Sequence, residues 1–104
     1  MIEVRWSDPA LDDLEGYRNH IAKDSPFYAR QFVERVFDYV EKLTDFPKMG
    51  RLVPEAEDRD DIRELIYQGY RIIYLLTTEL VEIITVVHGS MDLSKQENKP
   101  WDEK

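Results

Sequence analysis

Two arginines sit inside apolar, β-prone runs: Arg63 in IRELIY and Arg71 in YRIIYLL. An arginine within a strand offers a fixed planar fork of N–H donors, the geometry that grips a phosphate or a carboxylate. The intervening Gln68-Gly69 reads as a tight turn. A two-residue turn there places Arg71 opposite Ile66 and diagonal to Glu64, and Arg63 opposite Tyr74 on the other face. The ordinary consequence is a cross-strand Glu64–Arg71 ion pair, worth under about 1 kcal/mol if exposed. The functional one is a guanidinium held ready for a phosphate or a partner's carboxylate, and both readings stand at this point. His88 ends the last apolar run, VVHGSMDL, where an imidazole can transfer protons near neutral pH. The commoner role of such a histidine is a hydrogen bond to a nearby backbone group or carboxylate. Gly89 supplies a backbone angle or a close approach. Met91, in the same polar turn, can neither carry charge nor move a proton.

Other chemistries find little support. His20 and His88 lie on different elements without a ligand-spaced partner, so neither a metal site nor a cofactor is expected. No P-loop, dinucleotide fingerprint or nucleophile elbow occurs. The carboxylates cluster in charge runs, the pattern of solvated surface rather than of a paired-carboxylate hydrolase.

The elements that must position these residues begin with Ile2–Trp6, which alternates apolar and charged residues as a short strand does. Asp8 as a cap and Pro9 at the first helical position open a helix whose apolar face is Ala10, Leu11, Leu14, Tyr17 and Ile21. Ser25 and Pro26 repeat that signal before the stripe Ala29, Phe32, Val33, Val36, Phe37, Val40 and Leu43, so an antiparallel helical hairpin is expected. FPKMGR ends the second helix, and the acidic run EAEDRDD (Glu55–Asp61) reads as a solvated loop. Three strands follow: Ile62–Tyr67, Tyr70–Leu76 and Leu80–His88. In the last, Val81, Ile83 and Val87 fall on one face and Ile84 and Val86 on the other, as in a central, buried strand. SKQENKPWDEK is polar apart from Trp101 and reads as a frayed tail. The predicted fold is α+β, in the order β-α-α-β-β-β: one domain over residues 1–93 with the hairpin on a small antiparallel sheet, the first strand at its edge, and an acidic tail over 94–104.

Composition narrows the function classes. With 104 residues the chain suits one modest core, and 42% apolar residues favour folding over disorder. No cysteine, no signal peptide and no membrane-length apolar stretch are visible, so a cytoplasmic protein is expected. A net charge of −8 disfavours general affinity for nucleic acid, although a local basic patch could still bind one strand.

Four stretches, SDPALDDLEGYRNHIAKDSPFYARQF, LTDFPKMGRLVPE, IRELIYQGYRIIY and VVHGSMDL, resemble in order and spacing the RelE/ParE superfamily of type II toxins from Ile2 to about Leu93. The resemblance implies a small growth inhibitor neutralised by an antitoxin that wraps around it. RelE-like members cut messenger RNA on the ribosome without a metal, using arginines on the phosphate and a tyrosine or histidine for proton transfer. ParE-like members poison DNA gyrase. DSP, FP-x-x-GR and the HG turn are closer to the ParE side, which makes gyrase the implied target and a weakened messenger RNA endonuclease, or a non-toxic antitoxin-binding module, the alternatives. By this resemblance Arg71 matches the arginine of the family's YR strand motif. Arg71 and His88 become the catalytic candidates, and Arg63, Arg71 and Met91 the partner-binding ones. Members commonly carry arginine where this chain has Met91, and SKQENK holds no counterpart of the RelE-like tyrosine. Met91 then reads either as a natural substitution in a weakened or retargeted toxin or as a detoxifying change. A groove between the hairpin and the sheet edge would suit an antitoxin helix or strand.

Overall fold

The computed structural model describes residues 1–102. Its elements are β1 (Glu3–Trp6), α1 (Asp8–Ala22), α2 (Pro26–Glu41), a 3-10 turn (Lys42–Thr44), β2 (Arg51–Leu52), β3 (Ile62–Tyr67), β4 (Tyr70–Leu76), β5 (Leu80–His88) and a second 3-10 turn (Leu93–Lys95). The five strands form one mixed sheet in the order β1-β5-β4-β3-β2. β1 lies at an edge as expected, parallel to β5, while every other pairing is antiparallel. The two-residue β2 is additional to the predicted order and covers the outer edge of β3. β4 is the central strand, and β5 is interior beside it.

Both helices start where Ser-x-Pro or Ser-Pro punctuation occurs. Ser25 caps α2 by accepting the Tyr28 N–H at 3.2 Å, with Pro26 at the first helical position. In α1 the cap is Ser7 rather than Asp8: the Ser7 hydroxyl accepts the Ala10 N–H, and Asp8 moves into the first turn, where the helix dipole favours its charge. The hairpin packs Ala10, Leu14, Phe32, Val36 and Val40, joined by Leu43 of the 3-10 turn, onto one face of the sheet, against Leu65, Ile72, Tyr74, Val81, Ile83 and Val86.

Face assignment along β5 differs from strict alternation. Ile73 pairs with Thr85 but Tyr74 pairs with Ile83, so Ile84 is an extra residue. This β-bulge turns Val86 toward the helices and Val87 away from them, the reverse of a regular strand. The second face of the sheet is also covered. Val53, Ala56, Ile62, Ile73, Val87 and Leu93 form a smaller core there, with Leu75, Ile84 and Trp101 packed against it. The tail is therefore not frayed up to Trp101: its one large apolar side chain docks on the sheet. Residues 103 and 104 of the predicted tail lie outside the described residues.

Candidate functional site

Arg71 lies on this second face, and its surroundings answer which of the two readings it follows. The Gln68-Gly69 turn has positive φ at both residues (49° and 83°), a primed hairpin turn, and produces the expected register of Ile66 with Arg71. Arg71 Nε donates to Glu64 Oε1 at 2.7 Å, and its Nη1 and Nη2 donate to the two oxygens of Glu55 at 2.9 and 2.7 Å. Nη1 also donates to the Met91 carbonyl at 3.3 Å. The Glu64–Arg71 pair is thus present but buried, with side-chain exposures of 0% and 7%. Glu64 Oε2 in turn accepts from Arg51 Nε at 2.6 Å. Four of the five guanidinium N–H groups are engaged within the chain, which leaves no fork for a bidentate anion.

Glu55 was the least predictable member, because the acidic run reads as solvated; Glu57, Asp58 and Asp60 are indeed exposed, whereas Glu55 folds inward. Its carboxylate also accepts the Leu93 N–H, so the network ties the acidic loop to the turn after His88. The hydrogen bonds from Arg71, outweighing the cost of burial, hold the Glu55 pKa at about 2, below the ordinary 4.5. The same partners raise that of Arg71. A depressed carboxylate pKa contributes stability that is complete above the unfolded value and lost as pH falls through the folded one. The midpoint of urea unfolding should therefore drop between pH 4.5 and about 2 in the native chain. Glu55→Gln should be less stable at neutral pH and lose less over that window; equal acid sensitivity in both proteins would remove Glu55 from the account.

Arg63 faces the other way, as its pairing with Tyr74 requires. Its Nη1 donates to the Gly50 carbonyl at 2.9 Å and more distantly to that of Lys48, fastening the loop before β2. Its buried Nε has no partner among the described residues. Tyr74 secures the same loop, donating from Oη to the Pro47 carbonyl and accepting the Gly50 N–H.

His88 also points to the helix side, paired with Tyr70 and in edge contact with its ring at 5.4 Å. Its Nδ1 accepts the Ser90 N–H at 3.1 Å and lies 2.7 Å from the Ser90 hydroxyl, so the local backbone orients the ring. The next residue, Gly89, allows a close approach: its N–H donates to the Gly69 carbonyl at 2.6 Å, and a Cβ would meet that oxygen at the same distance. A shallow cleft of about 610 Å³ opens beside His88, where Asp12, Gly16, Tyr17 and His20 of α1 face Tyr70 and His88. The two histidines thus share one cleft although their sequence spacing gave no sign of it. Among the described residues no three His, Asp or Glu side chains converge as metal ligands.

The sheet therefore separates the sequence-derived candidates. Arg71 and Met91 come together on one face through the 3.3 Å contact to the Met91 carbonyl; Arg63 and His88 lie on the other. Met91 is 42% exposed, with its sulfur accepting from Gln96 Nε2. What this surface offers is a rigid, charge-matched turn rather than an open anion site.

A helical hairpin laid on this sheet order is a known class of small domain. The fold matches a chain of the chromosomal ParDE TA system from P. aeruginosa with a TM-score of 0.69, at 18% identity, over 85% of this chain and 96% of that one. The family model for the ParE toxin of the type II toxin-antitoxin system parDE matches residues 4–93. Toxin RelE2 of Caulobacter vibrioides is 31% identical over 91 residues, 86% of this chain and 98% of the relative. The chain belongs to the ParE toxin family, as the resemblance of its four stretches implied, and is a type II toxin by that membership. No helix among the described residues is long and apolar enough to cross a membrane.

Proposed function

We propose that this toxin arrests growth in the cytoplasm by acting on DNA gyrase and is held inactive by a cognate antitoxin. The observation that carries the choice of gyrase over message cleavage is the state of Arg71. Its donors are taken by Glu55 and Glu64, and His88 lies across the sheet from it. A metal-free nuclease needs a guanidinium and a proton-transfer group on one scissile phosphate. Met91 removes a further charge from that surface. A net charge of −8 also fits poorly with docking on ribosomal RNA. For the antitoxin, a groove of about 410 Å³ between α2 and β3 is lined by Tyr39, Ile66 and Tyr67 with Arg35, Asp38 and Lys42 at its rim, and Ile66 is 44% exposed. Such an amphipathic groove suits an amphipathic helix or strand.

The test is induction without antitoxin of the native chain and of Met91→Arg, followed by gyrase supercoiling and ribosome-bound message cleavage side by side. The exposed position admits arginine without repacking the core. Growth arrest with inhibited supercoiling and no cleavage is expected, and Met91→Arg should strengthen the arrest. Cleavage that rises on the order of 10²-fold in Met91→Arg, with gyrase unaffected, would replace this reading by the nuclease one. If neither protein slows growth yet the antitoxin still binds, the chain is a binding module.

A further inference from the structure

The cleft beside His88 exists because β5 outruns its neighbour. β1 pairs with β5 only as far as Trp6 with Ile83, and the Ser7 N–H then closes on the Ile83 carbonyl. Beyond that point two side chains of α1 replace the missing strand. Asp13 accepts from the Thr85 hydroxyl at 2.6 Å and the Val86 N–H at 3.2 Å, and the Tyr17 hydroxyl accepts the His88 N–H at 3.0 Å. Asp13 and Tyr17 are thereby committed to the fold. Asp12 is not: it is exposed at the rim, and its carboxylate has no ion pair or hydrogen bond among the described residues.

Gly16 is the second unexplained residue. A glycine in a helix interior costs stability relative to alanine. Here neither usual compensation applies, since its φ is not positive and a Cβ would meet nothing within 4 Å. The space that Cβ would enter is the cleft itself. Bare helix backbone forms one wall, and the rings of Tyr17 and Tyr70, in edge contact at 4.8 Å, form the opposite corner.

We propose that this cleft docks an arginine side chain presented by an extended segment of a protein partner. The planar guanidinium stacks on an aromatic face and directs its fork to Asp12, a pairing that a lysine ammonium matches less well. The apolar stem and the segment's backbone pass over Gly16, where any side chain would stand in the way. Among the described residues no lysine or arginine lines the cleft, and the net charge of −8 draws cationic partners toward the protein. The site is independent of the gyrase reading, and its test uses no toxicity readout.

The experiment titrates the full, ¹⁵N-labelled chain with acetyl-Gly-Arg-Gly-amide and follows amide shifts by NMR. Localised changes at Gly16, His20 and His88 with a Kd on the order of 1–10 mM are expected for one anchored side chain. Gly16→Leu, which introduces a good helix former, should fold with an equal or higher thermal midpoint yet bind at least about tenfold more weakly. Asp12→Asn should weaken binding by roughly 2- to 5-fold and leave the fold intact. Equal response to acetyl-Gly-Glu-Gly-amide or to spermidine would overturn the proposal, as would unchanged affinity in Gly16→Leu or no localised shift in the native chain.

Discussion

Arg71→Ala is expected to destabilise the protein by about 3–5 kcal/mol, the usual cost of removing one partner from a buried ionic group. The reason is what it leaves behind. Glu64 is fully buried and Glu55 largely so, with 13% of its side chain exposed, and both face the lost guanidinium. Arg51 still reaches Glu64, but its own side chain is 59% exposed and compensates only one of the two carboxylates. Arg71→Lys should recover little, because an ammonium cannot span Nε-to-Glu64 and the two-pronged contact to Glu55 at once. Replacing the whole cluster is different in kind. A Glu55→Gln, Glu64→Leu, Arg71→Met triple variant buries no unpaired charge and should regain most of the loss. The measurement is urea unfolding, read as a shift in midpoint at constant slope. A loss below about 1 kcal/mol for Arg71→Ala would mean that the network is loose in solution and the guanidinium free for a ligand.

The same network shows what a sequence can and cannot disclose. The diagonal of Glu64 with Arg71 was legible because a two-residue turn sets the hairpin register residue by residue. The burial of that pair was not, since it depends on Glu55 and Leu93, which are distant in sequence from one another and from Arg71. Nothing in EAEDRDD distinguishes the acid that folds inward from its solvated neighbours. Helix starts were readable to within a residue, the error at Ser7 and Asp8 being a choice between two competent caps. The bulge at Ile84 was invisible because one inserted residue leaves a mostly apolar run looking continuous. Trp101 was the available signal that the tail docks: a lone large aromatic in a polar segment has a reason to find a surface. Tyr17 was readable as part of the apolar face of the first helix, but its bond to β5 and those of Asp13 were not, because they arise from where β1 stops.

Four elements brace the turn that follows β5. α1 holds the end of β5 through Asp13 and Tyr17, β4 holds the following turn through Arg71 and Met91, and Gly89 fastens that turn to Gly69 of the β3–β4 hairpin. The segment HGSM is thus braced from both faces of the sheet. Such bracing suits recognition of a partner by a preformed turn, where little ordering entropy remains to be lost on binding.

Gly50→Ala is the second large effect, expected at roughly 1–3 kcal/mol and toward the upper end of that overpacking range. A Cβ at Gly50 would lie 2.5 Å from Tyr74 Oη and 2.7 Å from the Glu64 carbonyl oxygen. The first obstacle is the tip of a buried ring that cannot swing away, because Oη is held by the Pro47 carbonyl at 2.8 Å and the Gly50 N–H at 3.0 Å. The second is backbone in β3, whose movement would disturb Glu64 and the Arg71 cluster. Tyr74→Phe alone removes the hydroxyl and leaves the buried Gly50 N–H and the Pro47 carbonyl without it, at about 1–3 kcal/mol. Combining the two separates the causes. If the ring tip is the main obstacle, the double variant should be more stable than the sum of the single losses predicts, since the added methyl then occupies space the hydroxyl has vacated. If the Glu64 carbonyl dominates, the losses should add within about 0.5 kcal/mol. Gly50→Ala that unfolds at the native midpoint would show that the loop before β2 shifts freely, and Tyr74 and Arg63 would then not be the fastenings that the geometry assigns to them.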